Sequence, residues 1–307
     1  MTRHHRPGGR DRVRDGGPGE QRSLAVRFGR GMDPLGLSSP ITHEGIAADL
    51  RRLGLSPGDS LIVHSSLKSI GWLEGGPDAV IDALQEVLTP RGNLAIPTFT
   101  SPAPEFVVSD TPCRTGLIPE TFRRRPGVLR STHPTHSVAA WGDAAAEVAA
   151  GHERATALGV DSPLHRMAKL GARVLMIGVD CTRCSLIHVA EATMRLPYLG
   201  IAYPGYDVPI VVRKVDGTTT VYHETEFPGD SSNFGIVERE CGRRAQVIHG
   251  RIGAADCLMI QGRHLLDAAI DLLRHDPGCL LCRSPFCVPC AESRRLVDPT
   301  AQEQGSE

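Results

Sequence analysis

Residues 60–97 read SLIVHSSLKSIGWLEGGPDAVIDALQEVLTPRGNLAIP. A short apolar run, LIV, passes into the polar triplet His64-Ser65-Ser66. Gly75, Gly76 and Pro77 then open a helical repeat, DAVIDALQEVL, which stops before Pro90, and NLAIP begins a second apolar run. Buried strands alternating with amphipathic helices define an α/β sheet. The alternation extends in both directions. Upstream, Thr42 is an N-cap for EGIAADLRRLGL, which ends at Gly54. Downstream, residues 101–116 read as an irregular loop, IPETFRRRPG as a short helix, SVAAWG as a strand and DAAAEVAAGHE as a helix. SPLHRMAKLG leads into the strand ARVLMIGV, and IHVAEATMRL is a helix that stops at Pro197. VPIVVRKV and TTTVYHE, joined by a turn at residues 216–217, form a hairpin. RHLLDAAIDLLRH is the last clear helix. The expected fold is α/β, a mixed central sheet flanked by helices, with the hairpin supplying its antiparallel part and a Cys-rich C-terminal extension following it.

The ends differ from this body. Residues 1–38 are rich in Arg, Gly and Pro without apolar periodicity and read as a disordered arm, although Met32 offers an alternative start. The folded body is placed at 39–278, a Cys-rich knuckle at 279–297 and a polar tail at 298–307. The whole chain of 307 residues carries a formal charge of −1. Residues 1–31 hold eight arginines and three acids, so the remainder carries −6. That balance argues against nucleic acid as a partner and suits, weakly, a cationic small molecule. No apolar run approaches a membrane span, and no secretory h-region is present, so a cytoplasmic location is expected. There is no Walker loop, no G-x-G-x-x-G after a strand, no G-x-S-x-G and no H-E-x-x-H.

Three groups of residues can carry chemistry. His188 and Glu191 are three apart on a helix that follows a buried strand, which places both side chains on one face. An imidazole oriented by a carboxylate is a general base near neutral pH; an ordinary surface ion pair has the same spacing. His133 and His136 lie in RSTHPTHS, a turn or extended segment. His64-Ser65-Ser66 ends a strand, where backbone N–H groups can grip an anion or carbonyl.

With these blocks the chain resembles the aminoglycoside N3-acetyltransferase family, distinct in fold from GCN5-type acetyltransferases. The likeness covers residues 41–273. It is carried by LIVHSSLKSIGWLEGGPDAVIDAL, NLAIPTFT, TPCRTGLIPETFRRRPGVLRSTHPTHSVAAWG, SPLHRMAKLGARVLMIGV and IHVAEA, in that order. The resemblance implies transfer of an acetyl group from acetyl-CoA to an amine without a covalent enzyme intermediate. His188 matches the histidine of the family's T-x-x-H-x-A-E element and is the expected general base; Glu191 matches its acid. His64, Ser65, Ser66 and Leu67 match the cofactor-facing turn. Arg130, Ser131, His133 and Ser137 match R-S-x-H-P-x-x-S, also expected at the cofactor, with Arg130 on a CoA phosphate.

Two departures bear on the acceptor. Cys184 stands where resistance members commonly have Asn, with Ser185 at the threonine position. The segment after PTFT is short and offers only Glu105 and Asp110. Glu224 and Asp230, with Glu226 between them, are therefore the expected carboxylates for a polycationic aminoglycoside, and a small biosynthetic amine is the rival acceptor. A homodimer is one assembly open to such an enzyme.

Cys279, Cys282, Cys287 and Cys290 spell C-x2-C-x4-C-x2-C. Four thiolates at this spacing fit a structural zinc ion, with free thiols and an iron–sulfur cluster as alternatives. A non-catalytic zinc-stapled binding protein on the same fold is the reading from another class. Cys181 and Cys184 form a third C-x2-C, for which two small loop cysteines are the simpler account.

Overall fold

The computed structural model describes residues 39–201, 208–284 and 286–298, and from Pro40 onward they form one compact unit. The arm expected at 1–38, and the tail beyond Asp298, lie outside the described residues. Among the described residues ten strands run in chain order: β1 (Ser60–Ser65), β2 (Asn93–Pro97), β3 (Glu105–Val107), β4 (Leu129–Arg130) and β5 (Val138–Gly142). Then come β6 (Arg173–Ile177), β7 (Ile210–Arg213), β8 (Thr219–Tyr222), β9 (Val247–Ile252) and β10 (Ala255–Gln261). Seven of them form the central sheet in the order β4-β5-β2-β1-β6-β10-β9. β1 is parallel to both β2 and β6, while β5 joins β2, and β10 joins β6, antiparallel.

The strands are apolar on both faces because both faces are covered. Ile62, Val174 and Met176 point into one core with the helices Pro163–Lys169, His188–Thr193 and Gly262–His275. Their neighbours Leu61, Val63, Leu175 and Ile177 point into the other, with the helices His43–Arg52 and Gly76–Leu88. Thr42 caps the first helix as expected, its Oγ1 accepting from the Gly45 N–H at 3.2 Å.

Two expectations are corrected. The mixed sheet is present, but the β7–β8 hairpin does not supply its antiparallel part. That hairpin pairs with β3, inside the segment read as loop, in a separate three-stranded sheet. The antiparallel strands of the central sheet are instead β4, β5, β9 and β10. Of these only β5 was read from the sequence: β4 is two residues long, β10 went unread although five of its seven residues are buried, and β9 (VIHGRI) lies on the sheet edge with only Ile252 buried, so it lacks a clean period-2 signal. The helix Gly235–Arg243 was missed for a similar reason, since it buries only Val237 and Cys241. The Cys-rich extension packs onto the body: Leu280, Leu281, Cys282 and Cys290 join the core, and the helix Val288–Val297 lies against the Pro197–Gly200 turn.

Gly142 ends β5 at φ 109°, and a Cβ there would run into the backbone carbonyl of Gly92. Neither the backbone angle nor the carbonyl can give way. Gly142→Ala is expected to cost on the order of 3 kcal/mol, read as a lowered thermal unfolding midpoint; an unchanged midpoint would contradict this packing.

Candidate active site

β1 lies between two parallel neighbours whose connections leave in opposite directions, so a crevice opens at its carboxyl end. His64 and Ser65 stand at that end. Pro97 and Phe99 follow from β2, and Val179 from the loop after β6. They line a cavity of about 540 Å³ whose far wall is Phe227, Pro228 and Gly229. His188 reaches the same cavity from the first turn of its helix.

The His188–Glu191 spacing is realised as a buried pair. Nδ1 of His188 lies 2.6 Å from Oε2 of Glu191, and Tyr198 O–H donates to Oε1 at 2.8 Å. Glu191 is fully buried, and His188 is 7% exposed. A carboxylate only accepts, so the imidazole donates from Nδ1 and its other nitrogen, Nε2, keeps the lone pair. The ring of Phe234 lies 4.7 Å from the imidazole, centre to centre. Gly229 packs closely here, since a Cβ there would come within 3.1 Å of Glu191 Oε1 and the carboxylate would have to give by a few tenths of an ångström.

The eight residues expected at the cofactor separate into two groups. His64 and Ser65 face the cavity, and His64 Nε2 and Ser65 Oγ have no hydrogen-bond partner. Burial pulls the His64 imidazole down to about 4, so it is neutral at physiological pH. Ser66 donates its N–H to the Ile177 carbonyl and its side chain meets Ser69, at the start of a short helix whose first residue is Leu67.

Arg130, Ser131, His133 and Ser137 are a brace behind the wall. Arg130 donates to the carbonyls of Thr111 (2.6 Å) and Thr98 (2.9 Å) and to Ser137 Oγ (3.0 Å), and lies over the Phe106 ring. A guanidinium committed in this way is not presented to a phosphate, which corrects the role expected for it. Ser137 Oγ donates to the Thr98 carbonyl. His152 Nε2 donates to the Ala157 carbonyl, so its Nδ1 accepts from Ser131 O–H at 2.8 Å. His133 Nδ1 accepts backbone N–H groups from Thr135 and His136, leaving Nε2–H for Tyr222 (2.7 Å) and Glu224 (2.9 Å). From this block His136 is the residue that lines the cavity, its ring edge against Phe99.

The expected acceptor carboxylates are also placed elsewhere. Glu224 is buried on His133, and burial pushes its carboxyl up. Asp230 stands with Cys282, Cys287 and Cys290, all four ligand atoms within 4.8 Å of one another, and Cys279 is not in that group. The reason is topological: residues 229–231 pass between the His188 helix and the C-terminal segment, a proximity no sequence spacing encodes. Cys181 and Cys184 are buried in the core with Cys241. The adjoining Cys184 thiol and burial push the Cys181 thiol far above its ordinary value, as suits packing residues.

Sequence reasoning missed Arg114 and Arg183, which bring exposed guanidinium groups to the cavity. Arg114 was visible only as part of the TPCRTG block, and Arg183 only as a spacer between two cysteines. Tyr198, seven residues after Glu191, had no signal at all.

Two outcomes follow from this geometry. Arg130→Met removes the guanidinium donor from the Thr111 carbonyl and leaves the Thr98 carbonyl with Ser137 Oγ alone, with a loss of stability on the order of 2 kcal/mol expected. The KM for acyl donor in the folded fraction should stay within about twofold of wild type; a large rise without destabilisation would return Arg130 to a phosphate. Burial holds His64 at about 4 and His133 at about 3, and holds His136 and His152 well below the ordinary value. In the unfolded chain these groups protonate near pH 6.5. Between roughly pH 6.5 and 4 the unfolded state therefore binds more protons, and stability falls as pH falls. Glu224, with its raised carboxyl, opposes this more weakly as one group against four. The thermal midpoint should drop from pH 7 to pH 5, and a flat or rising profile would contradict the neutral-histidine brace.

The family model for aminoglycoside 3-N-acetyltransferase matches residues 62–274. The aminoglycoside N(3)-acetyltransferase VII of Streptomyces paromomycinus is 31% identical over 283 residues, covering 80% of this chain and 98% of that protein. Among solved structures, aminoglycoside acetyltransferase AAC(3)-IVa in complex with a gentamicin superposes with a TM-score of 0.74 at 27% identity, over 85% of this chain and 99% of that one. The AAC-IIIb binary complex with CoASH gives a TM-score of 0.67 at 26% identity, over 80% of this chain and all of that one. Among the described residues no helix is long and apolar enough to cross a membrane.

Proposed function

The chain belongs to the aminoglycoside 3-N-acetyltransferase family, and from that membership we propose that it moves the acetyl group of acetyl-CoA to the 3-amino group of an aminoglycoside, with His188 as general base. The observation that carries the reading is the 2.6 Å pairing of His188 Nδ1 with buried Glu191 on the wall of the cavity. An ammonium has no lone pair. His188 Nε2 takes a proton from the acceptor, the freed amine attacks the thioester carbonyl, and the C–N bond forms as the C–S bond breaks. The acylated nitrogen sheds its second proton, which ends on the departing CoA thiolate, and His188 returns the first to solvent. Glu191 stabilises the imidazolium that forms, and Tyr198 keeps that carboxylate in place. General-base help of this kind is worth roughly 10²–10⁴-fold; the rest comes from holding amine and thioester together. The acyl donor runs along His64 and Ser65, which line the cavity, with Arg114 and Arg183 near its phosphates.

One observation favours a smaller acceptor. Among the described residues lining the cavity none is a carboxylate, and Glu226 lines only the narrow crevice beside His188. A panel that pairs gentamicin, sisomicin and apramycin with small primary amines separates the two readings by CoA thiol release. Release with the antibiotics supports the first; release with small amines alone supports the second.

His188→Ala is expected to lower kcat by about 10²–10⁴-fold while calorimetric binding of acetyl-CoA is retained. Wild-type turnover in that variant would sink the general-base role.

A further inference from the structure

We propose that Asp230, Cys282, Cys287 and Cys290 hold a structural zinc ion, and that this ion pins the cavity wall at residues 227–229, opposite the proposed acyl-donor side at His64 and Ser65, to the C-terminal segment. The four-cysteine set expected from the sequence is thereby replaced: the fold puts a carboxylate where Cys279 was expected. The four donor atoms lie within 4.8 Å of one another. A tetrahedral zinc site with Zn–S bonds of about 2.3 Å has edges of about 3.8 Å, so a small contraction closes the cage.

Each donor is set up locally. Cys287 caps the helix Val288–Val297 and Cys290 lies in its first turn, three residues apart and so on one face. Cys282 and Cys290 are buried, and Arg294 anchors the Cys282 carbonyl. Asp230 Oδ1 accepts from the Ser232 N–H at 2.7 Å, which leaves its other oxygen for a metal. The Cys279 carbonyl accepts from Asn233. Three thiolates exclude the hard cations Mg²⁺ and Ca²⁺ and favour zinc. All four positions are filled by protein, so the ion is structural, not catalytic.

The position of Asp230 gives the site its consequence. Asp230 follows Phe227, Pro228 and Gly229, the cavity wall, and Gly229 lies against Glu191 Oε1. On the other side Ser231 donates to the Thr182 carbonyl at 2.7 Å, beside the cavity. A metal on Asp230 therefore fixes the wall that meets the catalytic carboxylate. This second part rests on the proposed acetyl transfer; the metal itself does not.

The test uses the full chain. Elemental analysis is expected to give one zinc per chain in wild type and in Cys279→Ser. Asp230→Asn should release zinc to a chromogenic chelator at least about tenfold more readily, and Asp230→Cys should keep it. In the cobalt-substituted protein the charge-transfer band should correspond to three thiolates, a readout that needs no variant to fold. Less than half a zinc per chain with all these thiols titratable in the folded protein overturns the site. Loss of metal in Cys279→Ser with retention in Asp230→Asn overturns the ligand set, and iron in place of zinc overturns the metal. For the wall, metal removal should raise the KM for the acceptor amine several-fold and leave the KM for acetyl-CoA within about twofold. Unchanged acceptor KM in metal-free protein overturns the pinning. Because metal content is measured without turnover, its failure is distinct from a failure of the acetyltransferase reading.

Discussion

A carboxylate with no exposed surface sits at the centre of this molecule, and the surrounding architecture serves to keep it satisfied. Removing an ionised group from water is expensive unless its oxygens are occupied. Glu191 meets that demand with His188 on one oxygen and Tyr198 on the other. The same bonds choose the histidine tautomer and direct its free nitrogen. Gly229 completes the arrangement by its lack of a side chain, since the chain passes so near Oε1 that a methyl group would crowd it. Burial, orientation and chemistry are thus one constraint.

The histidines divide between chemistry and support by the same logic. His133 and His152 are buried with both ring nitrogens hydrogen-bonded, which fixes them as neutral struts between the β4–β5 hairpin, Tyr222 and Glu224. Arg130 ties the segments at Thr98 and Thr111 to Ser137. This brace stiffens the wall on which His136 and Phe99 are mounted. Family likeness in such a block therefore marks the shape of a cavity as much as its contacts. His64 differs: it lines the cavity, and its buried Nε2 has no hydrogen-bond partner.

Legibility in the sequence followed the strength of local periodicity. β1, β2 and β6 are buried on both faces and appear as continuous apolar runs, and the helix over DAVIDALQEVL has seven buried residues on a regular repeat. Edge strand β9 and the helix Gly235–Arg243 bury too little to leave a pattern, while β10 (ADCLMIQ) was missed despite five buried residues. At the site, His188 and Glu191 were legible because i, i+3 spacing on a helix suffices to bring them together. Tyr198, Arg183 and Gly229 were not: Arg183 and Tyr198 sit in short 3-10 turns (Cys181–Arg183 and Pro197–Gly200) and Gly229 in a loop, and packing sets which way each faces.

The sequence by itself determined the alternation that makes an α/β sheet, the His188–Glu191 pair and the family motifs. These are local facts of period and spacing. Only the tertiary structure decided which polar residues face the cavity and which brace it, because that depends on hydrogen-bond partners tens of residues away. It moved Arg130, His133 and Glu224 into the support and left His64 and Ser65 at the opening. It also brought Asp230 to three cysteines more than fifty positions further along the chain. Spacing can nominate ligands within one segment, but the fourth donor is whichever group the fold carries closest.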